Sequence, residues 1–259
     1  MSELFDVSKA FTFAAVAGML ICLGYFYARA KKTTRGMYVR PIAGIDAMEE
    51  AIGRSTEMGR PVLFVPGIDE MQNIQTIASL VVLGRVAEMT ARYDTELKVP
   101  VMYPLVMVVA EETVRHGYGA AGRPDAHRPH NIQFLTSEQF AFCAAVSGMM
   151  LRDRPATHIL LGRFFGESLL LAETGHQTGA IQIAGTAELT QLPFFIAACD
   201  YTLLGEELFA AAAYLSREPK MLSMLKATDA LKLASIVLIV AGALASTFWG
   251  YDLLGKWIP

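Results

Sequence analysis

Charge is scarce in this chain: 18% of its 259 residues are charged, and the formal net charge is only -3. No whole-chain field of that size points to nucleic acid. Cysteine is scarcer still. Cys22, Cys143 and Cys199 are the only three, each in an apolar run and without metal or redox spacing. That argues against a disulfide framework and reads as small buried hydrophobes in a reducing compartment. A Walker motif, H-E-x-x-H, C-x-x-C and G-x-S-x-G are all missing, as are sequence repeats and low-complexity linkers.

What is abundant is apolar surface, at 53% hydrophobic residues. This is above the usual soluble range but below that of a polytopic membrane protein. Two long runs hold much of it. Phe11 to Ala28 is free of charge and is followed at once by Arg29, Lys31, Lys32 and Arg35. A cleaved signal peptide needs a basic start, whereas Glu3 and Asp6 precede this run, so a retained anchor is expected. Leu233 to Leu253 is charge-free until Asp252, with Trp249, Tyr251 and Trp257 at its far end as an interfacial belt would have. Arg217, Lys220, Lys226 and Lys232 lie on its near side. The basic flanks of both runs face the same central segment. The positive-inside rule then places residues 45–228 in the cytoplasm, with both termini outside.

The expected organisation is an outer segment 1–10, a transmembrane helix 11–28, a basic linker 29–44, the domain 45–228, a second transmembrane helix 233–253 and a tail 254–259. Leu192 to Leu215 is also long and apolar, but contains Asp200, Glu206 and Glu207. A central acid costs roughly 2.5–3.5 kcal/mol on insertion, against roughly 0.3–0.6 returned per large apolar residue. This stretch is therefore expected to be one buried helix of the domain.

Within the domain, short apolar runs alternate with amphipathic ones. Ile45–Met58 has helical spacing. Pro61–Val65 reads as a strand, followed by a helix to Tyr93 for which Asp69 and Gln72 supply a capping signal. Val99–Tyr103, Asn131–Leu135, His158–Leu161 and Ala180–Ile183 read as further strands. Pro104 suits a helix first turn, and Thr136 with Gln139 forms a capping box. Continuously apolar strands separated by helices predict an α/β domain, with a Rossmann-like parallel sheet of about five strands covered by helices on both faces.

In such a sheet ligands bind just beyond the strand C-termini. Gly67 and Asp69 after the first strand, Gly162 with Arg163, Gly166, Glu167 and Ser168 after the fourth, and Gly185 with Thr186 after the fifth are candidates to line one crevice. Asp69 could hold a ribose hydroxyl or a metal, or merely cap a helix. Gly117-Tyr118-Gly119-Ala120-Ala121-Gly122 matches the letters of a dinucleotide fingerprint. It follows a helix rather than a strand, however, and two prolines come after it, so a helix end is expected. The basic loop beyond offers Asp125, His127 and His130 as weak metal ligands, and Arg123 and Arg128 as anion contacts. Glu111, Glu112, Glu173 and His176 are acid–base groups with no spacing that shows convergence. Glu206 and Glu207 are expected at an interface, paired with arginine. Ala14 with Gly18, and Gly242 with Ser246, have the small-residue spacing that allows helices to pack closely.

Ile45-Asp46-Ala47-Met48-Glu49-Glu50-Ala51, through Gly59-Arg60-Pro61-Val62-Leu63-Phe64-Val65-Pro66-Gly67, resembles an uncharacterised family of prokaryotic membrane proteins. Its members carry one soluble domain of unknown function beside hydrophobic segments. The resemblance implies a membrane setting and supplies no catalytic residues. With no cofactor implied, the expected role is a membrane-tethered scaffold that self-associates or builds a larger assembly, with the bilayer and other protein chains as partners. A nucleotide- or metabolite-binding sensor is the alternative, and a tethered hydrolase the third reading.

Overall fold

The computed structural model describes residues 10–32, 43–216 and 219–249. The outer segment, most of the linker, the tail and the aromatic residues Tyr251 and Trp257 lie outside the described residues. The chain forms two compact units, one holding both terminal regions and the other running from Val39 to Ser216.

In the first unit, α1 (Ala10–Lys32) packs against α9 (Pro219–Trp249). In the second, α2 (Ala43–Glu57) precedes an alternation of strands and helices. These are β1 (Val62–Val65), α3 (Ile74–Tyr93), β2 (Leu97–Val101), α4 (Pro104–Ala120), β3 (Ile132–Phe134), α5 (Gln139–Asp153), β4 (Thr157–Leu161), α6 (Glu167–Thr178), β5 (Ile181–Thr186), α7 (Leu192–Ala198), β6 (Tyr201–Leu204) and α8 (Glu207–Ser216). All six strands are parallel, in the order β3-β2-β1-β4-β5-β6. This is the doubly wound order, with the direction of winding reversing between β1 and β4.

Alternation along each strand assigns the two faces. Leu63, Val65, Leu160 and Ala184 point toward α5, α6 and α7, joining Phe142, Val146, Leu171 and Phe195 in one core. The opposite face is covered by α2, α3, α4 and α8. There Thr157 donates to the Ala51 carbonyl and shares a hydrogen bond with Ser55. Complete burial of β1 accounts for its unbroken apolar sequence, and β4, equally buried, is apolar from Ile159 to Leu161.

Three expectations are corrected. There are six strands rather than five, because the stretch Leu192 to Leu215 is not one helix. It divides into α7, β6 and α8, and the acids explain the breaks. Asp200 Oδ2 accepts from Gln182 N (2.8 Å), tying the start of β6 to β5. Glu207 begins α8 and accepts from Leu204 N (3.0 Å). Helix caps also differ. Asn73, not Asp69, caps α3, and Glu138, not Thr136, caps α5. Finally, among the described residues one helix, α3, is long and apolar enough to cross a membrane, so those residues alone do not supply a span at each end. In α3 that window is 67% buried, as suits a helix covering a sheet.

One polar cluster lies within the core. His158 on β4 sits opposite Gln182 on β5. Both ring nitrogens of His158 and Oε1 of Gln182 lack a hydrogen-bond partner among the described residues. Gly175 on α6 makes the close approach possible: a Cβ there would stand 2.1 Å from Gln182 Oε1 and 2.8 Å from His158 Nδ1. Burial lowers the His158 pKa from 6.5 to about 4. Between those values the unfolded chain takes up a proton that the folded chain does not. The stabilisation from neutral His158 is therefore intact above pH 6.5 and is lost as pH falls toward 4. Unfolding midpoints measured across that window should fall by an amount equivalent to roughly 3 kcal/mol. His158→Leu should flatten the dependence, and His176→Leu, on the exposed side of α6, should leave it unchanged.

Candidate functional site at the strand C-terminal edge

The loops following β1 and β4 meet where the sheet changes its direction of winding. Gly67 has φ +81 and Gly162 φ +134, backbone regions that glycine adopts without side-chain strain. A Cβ on Gly67 would lie 2.8 Å from the backbone of Arg163, and one on Gly162 2.7 Å from the Pro66 carbonyl. Ile68 N donates to Arg163 O (2.9 Å), and Gly162 N donates to Gly185 O (2.9 Å). Two of the predicted crevice glycines therefore serve to bring two backbones together. Gly185 lies inside β5 rather than beyond it, where a Cβ would stand 2.8 Å from Leu203 and 2.9 Å from Leu161.

Arg163 extends from this crossing and holds three loops. Its Nη1 lies 2.9 Å from Asp69 Oδ2, and its Nε lies 2.8 Å from Glu188 Oε1. The guanidinium also sits 4.7 Å from the centre of the Phe165 ring. Asp69 accepts further bonds from Glu70 N and Asn73 Nδ2, both at 2.8 Å. Burial alone would raise the Asp69 pKa, but the Glu70 N–H, Arg163 and Asn73 outweigh it and hold the carboxyl below its ordinary value. Gln75 completes the network: its Oε1 accepts from Ala187 N (2.8 Å) and Thr186 Oγ1 (3.2 Å). Next to it, buried Glu167 accepts from Phe165 N (2.8 Å) and from Gln139 Nε2, and Ser168 bonds Gln191 (2.8 Å). Asp69 lies where its place after the first strand put it, at the strand C-terminal edge. The partners of Arg163 were not: Asp69 is 94 residues away from it in sequence.

The other candidates do not join this cluster. Gly117–Gly122 spans the C-terminal end of α4 and its cap, and a Cβ on Gly117 would stand 2.7 Å from Gly84 O, so the glycine lets α4 pack closely on α3. Asp125 and His130 lie on two short 3-10 turns at the opposite edge of the sheet, with His127 between the turns. The His127 ring packs edge-on to Tyr118 at 5.9 Å. Among the described residues, no group of three or more His, Cys, Asp or Glu side chains could hold a metal ion. Arg123, Asp125 and Arg128 instead border an open cavity of about 570 Å³ with Asp94, Glu96 and Tyr118. Arg123 is already ion-paired to Asp94 at 3.0 Å. Glu111 and Glu112 lie on α4 and Glu173 and His176 on α6, helices that cover opposite faces of the sheet. Glu206 is in the turn before α8, Gly18 lies on α1 and Gly242 on α9. A Cβ on Gly18 would meet nothing within 4 Å.

These features define a doubly wound parallel α/β domain whose switch point is bridged by its own arginine. The chain belongs to the family described as Domain of unknown function (DUF6754), whose model matches residues 1–256. No curated protein and no solved structure matches it.

Gly162→Ala should lower stability by about 1–3 kcal/mol, since the new Cβ meets backbone rather than a flexible side chain. Gly148→Ala, in α5 with open space around it, should be neutral or slightly stabilising. Thermal unfolding of the two variants side by side checks this.

Proposed function

We propose that this protein is a membrane-anchored α/β scaffold that self-associates or helps to build a larger membrane assembly. The observation that carries this reading is the surface of the terminal unit. α1 and α9 pack together while leaving large apolar side chains uncovered, including Ile21 at 72% and Leu233 at 64% exposed. Leu20, Ile236, Val237 and Val240 are exposed with them. From Leu233 to Trp249, α9 carries no charged residue. In water such a surface would be costly, and contiguous apolar patches of this kind mark membrane or protein contacts. A bilayer is the occupant that suits two adjacent helices with apolar residues all round. With Lys220, Lys226 and Lys232 on the near side of the α9 run, the positive-inside rule favours a cytoplasmic α/β domain and outward-facing termini in a prokaryotic inner membrane.

The protein should remain in the membrane fraction through alkaline carbonate and require detergent for release. In a mild detergent, its particle mass after subtraction of the micelle should exceed that of one chain. Release by carbonate would remove the anchor reading, and a monodisperse monomer would remove the assembly reading.

A second reading is favoured by the strand order. The switch point is where doubly wound domains bind ligands, and here Asp69, Gln75, Arg163 and Glu188 converge on it. As a nucleotide or metabolite sensor, the protein should gain thermal stability with some member of a nucleotide and sugar-phosphate panel, and Asp69→Ala should abolish the gain. A flat response across the panel removes this reading.

A further inference from the structure

The two edges of the sheet differ in charge and in exposed apolar surface. The connections at the strand C-termini, residues 66–73, 102–104, 135–138, 162–167, 187–191 and 205–207, carry seven carboxylates and a single cation, Arg163. Those at the opposite edge, 58–61, 94–96, 121–131, 154–156, 179–180 and 199–200, carry four of each. Helix N-termini attract acids, and α3 to α8 all begin at the acidic edge, so the carboxylates alone have a structural explanation. The apolar side chains among them do not. Leu189 is 75% exposed, Leu105 62% and Phe140 60%, joined by Ile74, Phe165 and Leu169. All six lie in loops at the strand C-termini or in the first turn of the helix that follows. They come from five different connections, so they are distributed along the edge rather than gathered at one helix.

We propose that this acidic, apolar edge is the docking surface for a basic amphipathic helix of a partner protein. The dimensions fit. Six strands at about 4.8 Å spacing span about 24 Å, the length of a helix of about 16 residues. A helix laid across the strand ends would set its apolar face on Leu105, Phe140 and Leu189 and its lysines or arginines against the exposed carboxylates Glu70 and Glu138. A lipid surface is the poorer match, because an anionic leaflet attracts basic protein segments and these loops carry the opposite charge. The inference deepens the assembly reading by naming the chemistry of a partner, and rests on that reading only for the partner's existence.

The test uses full-length protein in zwitterionic-lipid nanodiscs, with empty discs as the blank. A fluorescent leucine–lysine helical peptide of about 16 residues is titrated in, beside a leucine–glutamate peptide of the same pattern. The lysine peptide should bind saturably, and more weakly as salt is raised. Glu70→Lys combined with Leu189→Ser should weaken it tenfold or more with no change in unfolding midpoint. Arg154→Glu, at the opposite edge, should leave it unchanged. Absence of saturable binding, equal binding of the two peptides, or indifference to the edge variant overturns the proposal. Binding of anionic vesicles that the edge variant abolishes would assign the surface to lipid and overturn it as well. Particles larger than one chain that ignore the peptide would keep the assembly and remove only this surface, whereas a monomer that binds it would do the reverse.

Discussion

Two loop backbones, one leaving β1 and one leaving β4, touch at the middle of the sheet's C-terminal edge. The contact needs Gly67 and Gly162, since a Cβ on either would stand under 3 Å from the other's loop. It fixes where Arg163 emerges. From that point the guanidinium reaches carboxylates on the loops after β1 and β5, so a single side chain restrains three connections. Both pairs are partly exposed, and exposed pairs contribute little individually. Their arrangement matters more than their strength, because Asp69 and Glu188 are held in fixed positions at the place where this sheet topology receives ligands.

The same region explains the distribution of polar residues. Gln75, Thr76, Ser79, Thr186 and Ser168 are buried near the strand ends, where loop carbonyls and amides would otherwise lack partners. Each has a partner among those loops. His158 and Gln182 differ in lying in the middle of the sheet. Gln182 Nε2 is satisfied by the carbonyls of Ala172 and Ala198 (2.9 and 2.8 Å), whereas the imidazole is held mainly by packing.

Much of the α/β unit could be read from the sequence because its signals are local. β1 is a continuous apolar run and β4 ends in one, Pro104 opens α4, and the glycine-rich end of α4 precedes a proline-containing turn. β6 was hidden because Tyr201–Leu204 lies between two helix-forming stretches, and nothing local separates a four-residue apolar strand from a helical turn. Its identity depends on β5 beside it. The site divides in the same way. The loop positions of Asp69, Gly67 and Gly162 were visible from sequence alone, whereas Gly185 falls inside β5. The ion pairs of Arg163 were not, because they join residues brought together only by the crossing. Caps moved by a few residues because Asp, Asn, Thr and Glu near a helix start compete for the same amides.

The outermost strands are both short. β3 has three residues and β6 has four. Short edges offer few unpaired amides and carbonyls to a neighbour, a common safeguard against uncontrolled strand pairing. Copies of this domain crowded together on a surface would thus have little backbone with which to continue one sheet into the next. Contact between such copies would fall to side chains, and a dense array would be guarded against amyloid-like growth.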